Sequence, residues 1–88
     1  MDFKRAKIER TELAIIRRTE SRCGRFRISH FRYKLKSMPD RFYAEQREQL
    51  GDGNAMWEIV DRHRTLNAAT KTLERIARQV SKAEGSVQ

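Results

Sequence analysis

The hydrophobic positions between Ala55 and Ala83 form the most regular pattern in the chain. No Pro or Gly interrupts this stretch, and Ile59, Leu66, Leu73 and Val80 stand seven residues apart. Ala69 and Ile76 add a second row, three positions after Leu66 and Leu73. A seven-residue repeat predicts a coiled-coil-like helix, about 43 Å long at ~1.5 Å per residue. Glu58/Arg62 and Glu74/Arg78 would be i,i+4 pairs in the favoured acid-first order. A helix of that length outruns the helix expected at 40–50. The row Ile59, Leu66, Leu73, Val80 is therefore either intramolecular packing or the interface of a homodimer.

The other elements are less sharply marked. Residues 2–23 read as a helix capped by Asp2 and stopped by Gly24, with Ile8, Leu13, Ile15 and Ile16 as a loose apolar stripe. Residues 25–36 support two readings. Phe26 and Ile28, then Phe31, Tyr33 and Leu35, alternate with basic residues as in a strand, but the phase slips at Ser29-His30. The competing spacing of Ile28, Phe31, Leu35 and Met38 is helical, and it is preferred because a lone strand would need a partner from another chain. Ser37-Met38-Pro39-Asp40 resembles a capping box with Pro in the first turn, which opens a helix over 40–50 containing Phe42, Tyr43 and Leu50. Gly51-Asp52-Gly53-Asn54 then breaks the chain, with Asp52 or Asn54 as the next cap. The fold class expected is mainly α: three to four helices with a long C-terminal one at about 55–83, and at most a short β element at 25–35.

An 88-residue chain has room for one domain and one modest core. It buries only about 60–65% of the surface that its unfolded form exposes, so a partner or a second copy would help it. No stretch approaches the roughly 20 apolar residues of a membrane span. The basic N-terminus lacks a following apolar segment, and Cys23 stands alone. These features fit a reducing, cytoplasmic setting without disulfides.

Charge divides the chain. Residues 1–37 carry twelve Lys/Arg against four acids, which accounts for the whole net charge of +8. Residues 38–88 balance. The single domain therefore divides into a basic half (1–37), a charge-balanced helical scaffold (38–84) and a short tail (85–88). The excess is densest from Arg17 to Lys36, where Arg17, Arg18, Arg22, Arg25, Arg27, Arg32, Lys34 and Lys36 face the single acid Glu20. Guanidinium groups bind phosphate in bidentate fashion and stack on bases, so this Arg-rich segment suits nucleic acid. Phe26, Phe31 and Tyr33 lie among these charges and would either stack on unpaired bases or fill the core.

Chemistry of other kinds has little support. Cys23, His30 and His63 have no recognised metal-ligand spacing, so no metal is expected. On a helix, Asp61 and His63 would point to different faces. Gly51 and Gly53 lack the pattern of a phosphate loop, and no cofactor is implied. Trp57 reads as an anchor packing on Phe42 or Tyr43, with an interface hot spot as the alternative. A basic segment followed by helices has the order of a ribbon-helix-helix protein, but the phase slip, the 22 residues before it and the long last helix depart from that pattern. The expectation is a small non-catalytic binding protein whose partner is nucleic acid, DNA or RNA, contacted mainly through phosphates. The alternative is a small adaptor or inhibitor, of the kind a phage or plasmid carries, that captures an acidic protein surface. No membrane partner is expected.

Overall fold

The computed structural model describes residues 1–49, 51 and 53–85. Five strands run in chain order: β1 (Lys7–Arg10), β2 (Ala14–Glu20), β3 (Phe26–Tyr33), β4 (Arg41–Gln49) and β5 (Ala55–His63). One helix, α1 (Leu66–Gly85), follows. Each strand pairs antiparallel with the next, so the sheet is a simple meander, β1-β2-β3-β4-β5. The molecule is only 20 Å across its thinnest dimension, which fits one sheet and one helix at ~10 Å per layer.

This architecture corrects the mainly helical expectation. Residues 2–23 form β1, a hairpin turn and β2, and Phe3 bridges Ser21. The Thr11 hydroxyl accepts from the Ala14 N–H at 3.0 Å and sets the turn around Glu12-Leu13. Gly24 does not stop a helix. It takes φ +77° in the β2–β3 turn, a conformation that costs glycine nothing. Residues 25–36 also depart from the helical choice, since Phe26–Tyr33 is the central strand. Its partner comes from the same chain on both sides. The expected capping box at Ser37 is instead a turn, with Met38 N–H donating to the Leu35 carbonyl at 3.1 Å. The helix expected over 40–50 is β4, and the charge-balanced half is not a helical scaffold. Leu50, Asp52 and Ser86–Gln88 of the expected tail lie outside the described residues.

The long helix of 55–83 divides in two. Trp57, Ile59 and Val60 are strand-forming residues and pair along β4, with Val60 as the extra residue of a bulge opposite Ala44/Glu45. Thr65 then caps the real helix, its hydroxyl accepting from the Ala68 N–H at 3.1 Å. The seven-residue row is thereby split. Ile59 stands on a strand and is exposed, Leu66 opens the helix and is exposed, Leu73 is fully buried, and Val80 is half-buried. No coiled-coil-like seam exists among the described residues.

α1 packs across β3, β4 and β5. Phe26, Ile28, Ala44, Ala69 and Leu73 form the buried cluster, with Phe3, Phe42, Ile76 and Ala77 around it. Ala44 and Ala69 are both completely buried, and their small side chains let helix and sheet approach closely. His63 Nε2 lies 2.8 Å from the Thr72 hydroxyl and ties β5 to the helix. No described helix is long and apolar enough to cross a membrane.

Leu73→Ala should cost about 2–5 kcal/mol in urea unfolding, because it opens a cavity in the one core. Leu66→Ala should cost less than about 1 kcal/mol, since this side chain is already mostly in water.

Candidate functional site

With one helix on one side, the other face of the sheet carries no helix and is called the open face, although Ala14, Ile16, Ser29 and Glu45 are buried on it. Register assigns the residues to it. Lys7, Arg18, Ser29 and Tyr43 lie in one cross-strand row, and Glu9, Ile16, Phe31 and Arg41 in the next. Arg27 faces Glu45, and Arg47 faces Trp57. The opposite side receives Phe26, Ile28, His30 and Arg32 from β3, and Ile15 and Arg17 from β2. The phase slip at Ser29-His30 now has a cause. The pairing runs through it unbroken, and the apolar residues change face, Phe26 and Ile28 under the helix and Phe31 and Tyr33 on the open side.

Polar groups on the open face are tightly organised. Glu45 is almost fully buried and is held bidentately by Arg27, Nε to Oε1 at 3.0 Å and Nη2 to Oε2 at 3.2 Å. The buried Ser29 hydroxyl donates to the same carboxylate. The Arg27 guanidinium also lies 4.4 Å from the Trp57 ring centroid, a cation–π stack. Arg18 pairs with Glu9. Around these groups is a cavity of about 450 Å³, lined by Lys4, Arg5, Lys7, Arg18, Arg27 and Arg47 with Trp57. That volume is within the ~300–1,000 Å³ of clefts that hold ligands. Glu9 and Glu20 are its acids. Lys4, Arg5, Lys7 and Arg47 form no ion pair among the described residues, so their charge is uncompensated there. Both β1 and β5, the outermost strands, contribute to the cavity, so the sheet is curled rather than flat.

At the other end of the same face Phe31, Tyr33 and Tyr43 form an aromatic group. Phe31 meets Tyr43 edge-on at 5.2 Å between centroids, and Tyr33 at 6.1 Å. Burial pushes the Tyr33 phenol above its ordinary value, and the hydrogen bond to Tyr43 pushes the same way.

The eight basic residues singled out by sequence do not form one stripe. Arg18 and Arg27 are on the open face, whereas Arg17 and Arg32 are on the helix side. Arg22 and Arg25 lie in the β2–β3 turn, and Lys34 and Lys36 in the β3–β4 loop at the opposite end of the strands. Phe26 is buried beneath α1 and cannot stack on a base, while Phe31 and Tyr33 are half-buried on the open face. Trp57 packs against neither Phe42 nor Tyr43 as an anchor. It sits opposite Arg47, and Phe42 instead stacks on His30 at 4.1 Å on the other side. Lys4, Arg5 and Lys7 belong to the basic half but were not among the expected site residues, nor were Arg47, Glu45 and Tyr43, the last expected only as apolar content of a helix. Arg47 lies in the charge-balanced half, where only strand register brings it beside Arg27.

The residues with reactive side chains are dispersed. Cys23 is exposed in the β2–β3 turn, its thiol pKa lowered by the Ser21 hydroxyl and then by the Arg25 backbone. His30 is bonded to Asp40 at 2.9 Å. Asp61 and His63, expected on different faces of a helix, share a face of β5 and lie 3.5 Å apart. No group of three metal-ligating side chains exists among the described residues. Comparison with protein-family models, curated proteins and solved structures gives no match.

Arg27→Ala leaves the buried Glu45 carboxylate with only Ser29. It should cost on the order of 1–3 kcal/mol in denaturant unfolding, against less than about 0.5 kcal/mol for Arg47→Ala. The raised Tyr33 pKa favours the neutral phenol in the folded state. This contribution to stability is complete below the ordinary value near 10 and is lost as pH rises through the higher folded value. Thermal unfolding from pH 9 to 11 should show that loss, reduced in Tyr33→Phe.

Proposed function

We propose that the open face of the sheet binds nucleic acid, preferentially single-stranded, with little sequence specificity. The observation that carries this reading is the cavity in which Arg27 lies over Trp57 among six basic side chains. Lys4, Arg5, Lys7 and Arg47 would contact phosphates. Such contacts release counterions and give affinity without base readout. Phe31, Tyr33 and Tyr43 continue the same face, and aromatic side chains on a sheet supply stacking surfaces for unpaired bases. A duplex offers its stacked bases no access to such a surface, which is why the single strand is preferred. The role proposed is that of a binding module, since the face gathers cations and rings.

A salt titration of binding to random single-stranded and duplex oligonucleotides tests the proposal. About four phosphate contacts predict a slope of log affinity against log salt near −3 for the single strand. Lys7→Gln with Arg47→Gln should flatten that slope by about 1–1.5 units while the circular dichroism spectrum stays unchanged. These two side chains are better probes than Arg27, whose loss also destabilises the fold. Absence of binding at about 50 mM salt would exclude nucleic acid as the ligand of this face and leave an acidic protein surface.

A further inference from the structure

The helix side of the sheet is only half covered. Five strands at ~4.8 Å spacing span about 19 Å between the first and the last, whereas one helix with side chains is ~10–12 Å wide. α1 takes the half over β3–β5, and beyond it Phe3 of the N-terminal segment packs against the core and the Met1 ammonium lies beside Glu74. Beside the N-terminal end of α1 runs a groove of about 380 Å³ whose floor is Ile15, Ile28, Phe42 and Leu66. Ile8, although opposite Arg17 in register, lines the open-face cavity and not this groove. Leu66, at the start of α1, is 55% exposed where it lines the groove.

Arg17 and Arg32 stand on the rim of the groove, and Arg10 is on the same side opposite Ile15. No carboxylate lines it, and the nearby Asp40 is bonded to His30. The groove is thus largely apolar along its floor, with Thr19 and His30 beside the apolar residues, and positive at its edge.

We infer that this groove docks an amphipathic helix of a partner protein, with an apolar stripe for Ile15 and Leu66 and acidic flanks for Arg10, Arg17 and Arg32. Helix-in-groove recognition of this kind reads apolar anchors at i, i+3, i+4 and i+7. Charge excludes the helix of a second copy. Lys71, Arg75, Arg78 and Lys82 are exposed on α1 against two acids in its sequence, Glu74 and Glu84, and Glu74 lies 3.8 Å from the N-terminal ammonium. Nucleic acid has no use for an aliphatic floor. The inference is independent of the open-face proposal, because the two surfaces are on opposite sides of the sheet.

Fluorescence anisotropy with a labelled ~18-residue helical peptide, Leu on one face and Glu on the other, tests it. Binding with a Kd on the order of micromolar is expected, weakened about tenfold or more by Arg17→Glu with Arg32→Glu and by Leu66→Asp. The Leu66 change is at the first helical position, where an acidic residue is favourable, so the fold survives it. Amide shifts on peptide addition should map to β1, β2 and the start of α1. The inference is overturned if the peptide does not bind, or if a scrambled peptide of the same composition binds equally. It is also overturned if the shifts fall on the open face. A dimer that Leu66→Asp dissociates would give the groove to a second copy, and outright loss of oligonucleotide binding in that variant would give it to nucleic acid.

Discussion

Everything in this molecule depends on how closely α1 can approach the middle of the sheet. Ala44 on β4 and Ala69 on α1 are both fully buried, and Leu73 lies among Phe26, Ile28 and those two alanines. With small side chains at the contact, a single large leucine can fill the space between helix and sheet. One helix of 20 residues is about 30 Å long, enough to cover three strands along their length but not five across. The asymmetry of the whole protein follows: one core beneath α1, a thinly covered half-face beside it, and a second face that carries no helix.

The open face solves its own stability problem with charge and aromatic rings. Ser29 and Glu45 are buried there without a covering layer, and they are satisfied by Arg27 and by each other. A buried carboxylate without such partners would be strongly destabilising. Arg27 consequently has two roles, as counter-ion to Glu45 and as the lid over Trp57. The neighbouring Lys7 and Arg47 have neither. A surface on which some cations are fixed by the fold and others are left uncompensated can bind an anion without first breaking its own ion pairs.

The two bare surfaces differ in the chemistry that they offer. The open face combines uncompensated cations with rings, which suits a phosphate chain carrying unpaired bases. The groove beside α1 has aliphatic residues below and arginines at its edge, which suits a helix with an apolar stripe and acidic sides. Strand alternation produces this division, because Arg17 and Arg18 are adjacent in sequence yet on opposite sides of the sheet. A charge excess that looks like one stripe along the chain becomes two separate surfaces once the chain is pleated.

Sequence alone determined the quantities that do not depend on pairing: the net charge, its excess in residues 1–37, and the break in regular structure marked by Gly51 and Gly53. The alternation of Phe26 to Tyr33 was legible too, but a helical spacing competed with it. That competition could not be decided locally, since a strand is stable only if neighbours exist on either side. Tertiary structure supplied them as β2 and β4, and the phase slip at Ser29-His30 marks where β3 passes its apolar residues from one buried face to the other. The row Ile59, Leu66, Leu73, Val80 misled for the same physical reason. Seven is a helical repeat only if the backbone is helical throughout, and pairing of β5 with β4 together with the Thr65 cap ended that condition before Leu66. The meeting of Arg27, Glu45, Arg47 and Trp57, drawn from three strands, was set by register, a property that no single segment contains.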